Sequence, residues 1–441
     1  MKKRIALIVV LQLSVLFSNC SSDSGDDTTP PVEVVKAAKI NSYSKNYGQT
    51  GETITMYGEN FSANTNDIKL AFDGAPVEIL SATATEIKFN LPQTEKLLPK
   101  VTLTIGGKEI VNEVKNDYEG NIGVLPIPST TGWFTIENIL KGDRKIYKIQ
   151  ILNDKVLYYS MADIFGSGVY RTLDGGITWK YRWGSTGASG IFFATKNDEG
   201  WADTMFGIQK VPIGGSEKMD IIKSTEGDSY YAIYVDDNMK NGTIVTQLGK
   251  VFTTNNGIDF TKIYDTATSN DALKNLENIA QSVVIDNDHI WAIGHKIIKD
   301  VNGFSGNRPF ILFKNNTTDG WKEYPFVKEG SNYYAREISF VDTENGFLLI
   351  NNYITSDVKL FKTINGGDSW LQVYNGEKFT KFAFKDANTG WAILDNKIYK
   401  TTNGASTWVL DYTHDQPIRN ISYKNNVVWA FSTDKIIKRN L

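Results

Sequence analysis

From Ala37 onward the chain alternates apolar and polar residues in short runs, the pattern of strands buried on one face. Lys39-Ile40-Asn41-Ser42-Tyr43, Thr53-Ile54-Thr55-Met56-Tyr57, Ile68-Lys69-Leu70-Ala71-Phe72, Glu86-Ile87-Lys88-Phe89 and Lys100 to Ile105 are such runs, separated by turn residues. Their spacing predicts an all-β sandwich over residues 37–115, with residues 116–130 as a linker containing Pro126 and Pro128. Past residue 131 the pattern becomes periodic. Each unit opens with an apolar strand ending in Asp or Asn, as in Ile338-Ser339-Phe340-Val341-Asp342 and Ile421-Ser422-Tyr423-Lys424-Asn425. A short second strand follows, such as Gly200-Trp201-Ala202, Ile290-Trp291-Ala292-Ile293, Gly390-Trp391-Ala392-Ile393 or Val428-Trp429-Ala430-Phe431. The unit closes on a hairpin phrase whose clearest copies are Tyr170 to Trp179, Phe361 to Trp370 and Tyr399 to Trp408, with Phe252 to Phe260 as a variant. In it an Asx-Gly turn supplies positive φ at Gly and a side-chain acceptor for nearby backbone N–H groups.

The phrase recurs with a period of about 44 residues, the range of four-stranded propeller blades. Openings near Tyr147, Gly190, Tyr230, Gln281, Arg336, Lys381 and Arg419 make seven units, so residues 131–441 are expected to form a seven-bladed β-propeller. The last unit stops three strands in, at Lys435-Ile436-Ile437-Lys438-Arg439. Residues 131–139, with the Gly132-Trp133 echo, are expected to supply its outer strand, closing the ring from both ends of the array and removing an open edge.

The front of the chain is of another kind. Lys2-Lys3-Arg4 precedes an apolar run from Ile5 to Phe17, too short to span a bilayer comfortably and typical of a secretory signal. Cys20, the chain's one cysteine, follows Leu16-Phe17-Ser18-Asn19, which resembles a bacterial lipobox. The resemblance implies that residues 1–19 are removed and that Cys20 is lipidated. Residues 20–36 continue as a small, acidic, proline-ended spacer that cannot offset the entropy of folding. A Ser/Asp run directly after the cysteine resembles the surface-export signal of Bacteroidetes lipoproteins. The expected location is therefore the outer membrane, surface-exposed, with a periplasm-facing lipoprotein as the alternative.

With 441 residues and 12% aromatics the chain can build a real core. Removal of residues 1–19, with Lys2, Lys3 and Arg4, takes the formal charge from −3 to −6. The basic residues are dispersed, so the electrostatic footprint of a nucleic-acid binder is missing.

Two family resemblances follow. Gly51-Glu52-Thr53-Ile54-Thr55-Met56-Tyr57-Gly58-Glu59-Asn60-Phe61, with Phe72-Asp73-Gly74-Ala75-Pro76-Val77 and Val101-Thr102-Leu103-Thr104-Ile105-Gly106-Gly107, resembles an IPT/TIG immunoglobulin-like domain. In exported bacterial proteins that implies a rigid stalk or adhesion module. The hairpin residues Asp174, Gly176 and Trp179, Asn365, Gly367 and Trp370, and Asn403 and Trp408 resemble the Asp-box of BNR-type propellers. Propellers of the photosystem II assembly factor, sortilin ectodomains and sialidases share it. The resemblance implies a structural role for these residues on outer hairpin tips, since fold alone does not deliver function.

Candidate chemistry is sparse. A sialidase-like site needs an arginine triad with a Tyr/Glu pair and an acid/base Asp, and no Phe-Arg-Ile-Pro motif precedes the boxes; another glycosidase needs two facing carboxylates. His289, His295 and His414 do not cluster with metal-ligand spacing, and Asp236-Asp237-Asn238 and Asp286-Asn287-Asp288 sit where Asx turns are expected. No catalytic residue, metal or cofactor is assigned. The remaining candidate is the rim of the central channel, where registering the units on their closing Asp/Asn brings Tyr147, Tyr230, Tyr231, Tyr334, Arg336, Lys381 and Arg419 to one face. Rigid aromatic area with bidentate donors suits a binding surface. The sequence thus predicts a non-enzymatic, lipid-anchored, monomeric binding or scaffold protein for a protein partner. A glycan-binding role in polysaccharide capture is the alternative, and a glycoside hydrolase or sialidase-like enzyme comes last.

Overall fold

The computed structural model describes residues 36–127, 132–137, 145–163, 166–185, 191–204, 207–211, 220–223, 230–265, 278–299, 305–326 and 332–441. The signal segment, Cys20 and the first residues of the spacer lie outside the described residues, as does the side chain of Tyr147.

The alternation in the first run of strands becomes two packed sheets. One has the order Val111–Asn112, Lys39–Tyr43, Thr53–Glu59, Glu86–Asn90, Ile79–Ala82; the other runs Ala75–Val77, Ile68–Phe72, Val101–Ile105, Lys108–Glu109. Every second residue of Thr53–Glu59 is buried, and Ile54, Met56, Leu70, Phe72, Ile87, Phe89 and Leu103 meet between the sheets. Part of the expected linker is also structured. Gly123–Leu125 pairs in parallel with Tyr47–Gln49, and Ile122 and Val124 join the sandwich core.

Among the described residues of the periodic region, seven four-stranded antiparallel sheets follow in order. Six are local meanders. The seventh takes Ile418–Lys424, Val427–Ser432 and Lys435–Asn440 and adds Trp133–Glu137 on the outside, with Trp133 opposite Arg439 and Glu137 opposite Lys435. Each innermost strand touches the next, and Ile418–Lys424 meets Lys145–Ile151, so the ring is closed.

The blades are glued by an aromatic pair that repeats. Trp291 on the second strand of blade four stacks on Phe340 of blade five at 3.6 Å, and Phe347 of blade five stacks on Phe384 of blade six at 3.5 Å. Trp391 of blade six lies over Tyr423 of blade seven at 6.2 Å. Trp201, Trp291, Trp391 and Trp429 are fully buried. Each such side chain contributes roughly 1.5–3 kcal/mol of burial, so the inter-blade seams hold much of the stability.

The Asp-box turns are hydrogen-bonded units. Thr178 N–H donates to Asp174, Ser369 N–H to Asn365 Oδ1 and Thr407 N–H to Asn403 Oδ1, while Gly176 and Gly367 N–H donate to the threonine that opens each turn. Gly367 has φ +97°, and a Cβ there would press on the Trp291 indole at 3.3 Å. Trp370 and Trp408 donate their indole N–H back to the turn, and Trp179 packs edge-on against Tyr159.

Candidate binding face

Five inner strands carry a register shift against their second strand near the point where they enter the sheet. The shifts fall between Ile146 and Lys148, Tyr230 and Ala232, Ile279 and Gln281, Ala335 and Glu337, and Ile418 and Asn420. A bulge leaves one residue unpaired and re-aims its neighbours. The positions skipped in the register are Tyr147, Tyr231, Ala280, Arg336 and Arg419. Sequence registration had set Tyr230 in this series. Tyr230 is instead opposite Thr246 and 1% exposed, because in blade three the bulge lies one residue nearer the closing aspartate than in the other blades. Tyr231, at the bulge, lines the channel.

The channel encloses about 980 Å³, and its wall carries Lys148, Gln281, Glu337, Lys381 and Asn420 at the entry level. These side chains mainly tie blades together. Gln281 Nε2 donates to Glu337 Oε1 at 3.0 Å, Ile338 N–H donates to Gln281 Oε1 at 3.1 Å, and Lys381 forms an ion pair with the buried Glu337. Lys148 Nζ donates to the Phe192 carbonyl at 2.6 Å, and Gln150 exchanges hydrogen bonds with Ala194 at 2.7 and 2.9 Å. Burial pushes the Lys148 ammonium down to about 8. Lys381 is therefore a strut between blades five and six rather than a free rim cation.

Arg336 and Arg419 are exposed and do not line the channel, and they stand on blades five and seven. Around Arg336 a patch is assembled. Its Nε donates to Asn351 Oδ1 at 2.6 Å. Tyr334, two residues earlier, packs at 4.9 Å against His295 and at 5.2 Å against Tyr353, and its hydroxyl accepts from Asn307 Nδ2 at 3.0 Å. Burial and the Arg336 charge hold His295 below the usual histidine range. Tyr353 is 53% and Ile354 65% exposed in the turn between the second and third strands of blade five. Of the expected rim, Tyr334 and Arg336 are brought together, whereas Arg419, Lys381 and Tyr230 are not part of this patch.

In the sequence His295 reads as an ordinary strand-end residue, Asn307 carries no signal, and the one signal for Tyr353 is an aromatic-aliphatic pair, Tyr353-Ile354, set in a polar turn. The acidic turns are used locally. Asp236 Oδ1 accepts from Lys240 and Asn241 N–H at 2.9 and 3.2 Å, and Asp286 Oδ1 accepts from Asp288 N–H at 2.8 Å. Among the described residues no group of three His, Cys, Asp or Glu is placed to hold a metal.

The fold and the patch define the class: an all-β chain in which an immunoglobulin-like sandwich precedes a propeller. Residues 38–121 match the IPT/TIG domain family model. No curated protein matches the chain. Among solved structures, one described as YCF48 bound to D1 peptide is similar at 13% identity and a TM-score of 0.47, covering 72% of this chain and 99% of its own. An auxiliary nutrient binding protein from Bacteroides thetaiotaomicron is similar at 12% identity and a TM-score of 0.33, covering 91% and 97%. The GH74 enzyme of Niastella koreensis is similar at 12% identity and a TM-score of 0.37, covering 65% and 62%.

Proposed function

We propose that the chain is a non-enzymatic lipoprotein, anchored at the outer membrane through Cys20, that presents the strand-entry face of its propeller to a protein partner at the cell surface. The observation that carries this reading is the patch on blade five, where Tyr334, Tyr353 and His295 crowd beside the Arg336 guanidinium. Aromatic anchors beside an arginine are the composition of interface hot spots. The ring planes of Tyr334 and Tyr353 are tilted by 58°, and those of Tyr334 and His295 by 80°. Such rings grip side chains from several directions, whereas a planar sugar platform needs coplanar rings. A binding role is favoured over hydrolysis by the state of Glu337, the acid at the channel entry, which is engaged by Lys381 and Gln281.

The test is a photo-reactive amino acid at position 353 of the full-length protein in native membranes. The expected result is a discrete protein adduct that disappears when Arg336→Ala or Tyr334→Ala is added, while Arg419→Ala leaves it in place. Absence of any protein adduct, or an adduct insensitive to both substitutions, overturns the reading. In the same cells Cys20→Ala is expected to release the protein from the membrane fraction; retention there sinks the anchor.

A further inference from the structure

A second cavity lies at the other end of the strands, between the sandwich and blades one and seven, and encloses about 1100 Å³. The sandwich side contributes Tyr47 and Gln49, and the propeller side the turns at Asp154-Lys155 and Asn425-Asn426 together with Phe134 and Lys438. Most cations of this cleft are matched: Lys45 with Glu52, Lys180 with Asp117, Arg171 with Asp198. Two lie over rings. Lys155 Nζ lies 5.8 Å from the Tyr47 centroid, and Lys438 Nζ lies 3.8 Å above Trp429 and 6.0 Å from Phe134. The one carboxylate whose charge acts on Lys438 among the described residues is that of Asp154. A half-buried ammonium without a close anion carries a desolvation cost, and a ligand carboxylate entering the cleft relieves that cost.

We propose that this cleft binds a short acidic oligosaccharide, with Lys438 taking a uronate carboxylate. Tyr47 and Phe134 line the cleft with apolar ring atoms that meet the sugars, and Gln49, Asn425, Asn426 and Asn440 bring amides to its wall, where hydroxyls are recognised. The acids already in the cleft, Asp154, Glu52 and Asp117, disfavour a uniformly anionic chain and favour a ligand with an isolated carboxylate. This site is separate from the blade-five patch, so the two readings stand or fall apart.

The experiment is isothermal titration of the full-length protein in detergent with aldotriouronic acid, a trisaccharide carrying one uronate, against neutral xylotriose. The acidic trisaccharide is expected to bind saturably, and the neutral one at least tenfold more weakly. Lys438→Met is expected to remove at least tenfold in affinity, Lys438→Arg to retain it, and Arg336→Ala to leave it unchanged. Burial has pushed the Lys438 ammonium down to about 8, so wild-type affinity should fall between pH 7 and pH 9 while the Lys438→Arg variant holds. Equal binding of the two sugars, full affinity in a Lys438→Met variant with native circular dichroism, or binding of tetraglutamate in place of the sugar overturns the proposal.

Discussion

Asp174, Asn365 and Asn403 occupy one position in three copies of the same turn, yet one of them has a second task. Asp174 is buried, and the hydroxyl of Tyr118, from the segment after the sandwich, donates to its Oδ2 at 2.9 Å. Burial and the Asp174 charge push the Tyr118 hydroxyl up, so it stays a donor at all ordinary pH. Hydrogen bonds to charged acceptors are worth about 1.5–3 kcal/mol. Tyr118→Phe is therefore expected to cost about 2 kcal/mol in urea unfolding, and Asn365→Ala, which loses a neutral turn acceptor, about 1 kcal/mol. Two lysines give a pH signature. Lys148 and Lys438 are both held near 8 by burial, below the ordinary lysine value, so above that pH the unfolded chain binds more protons than the folded one. Stability from these groups should rise with pH from about 8 to about 10.4. Lys148→Met should flatten part of that rise, measured as urea midpoints at pH 7 to 10; an unchanged slope would contradict the burial of the ammonium.

At the scale of elements, the ring is fastened by one carboxylate. Asp411 Oδ2 accepts from Trp133 Nε1 at 2.9 Å, from Arg439 at 2.6 Å and from Trp391 Nε1 at 3.2 Å. It thus joins the strand that precedes the array, the last strand and the second strand of blade six. Asp411→Ala leaves a guanidinium and two indole N–H groups without their acceptor, and the expected loss is about 3 kcal/mol by urea unfolding. Proteolysis should then begin near residues 133–137. A variant as stable as wild type would show that pairing of Trp133–Glu137 with the last strand suffices by itself. The bulges are the other element-level device: by re-aiming the residues after them they turn Gln281 and Glu337 into inter-blade ties and leave Arg336 on the outer surface.

For the whole molecule, the sandwich is not a free stalk. Leu97 and Tyr118 share a buried cluster with Ile136, Leu157, Tyr159, Ile177, Trp429 and Ile436 of blades one and seven, so one apolar core crosses from sandwich to propeller. Such a core couples unfolding of the two parts. Calorimetry is expected to give one transition for the wild type and two for Tyr118→Ala, with the sandwich melting first. Two transitions already in the wild type would show that the shared cluster contributes little.

The order of strands, the seven repeats and the strand borrowed from residues 133–137 were legible because they depend on local facts. Alternation reports which face is buried, Asx-Gly reports the turn, and the missing outer strand after Lys435–Asn440 has a visible counterpart in Gly132-Trp133. The candidate face was legible only in part. Tyr334 and Arg336 are legible as candidates from their place at the start of an inner strand, but His295 and Asn307 come from strands of blade four and Tyr353 from a turn, and no local pattern says that they meet. The register of Tyr230 and Tyr231 depends on where a bulge falls, which pairing between strands decides. Lys381 reads alone as a rim cation, and Asp411, Tyr118 and Lys438 as ordinary polar surface. Packing across blades, and of the sandwich on the ring, made them a strut, a clasp, a docking pin and a half-buried cation, because burial and partner geometry are properties of the folded contacts rather than of the residues themselves.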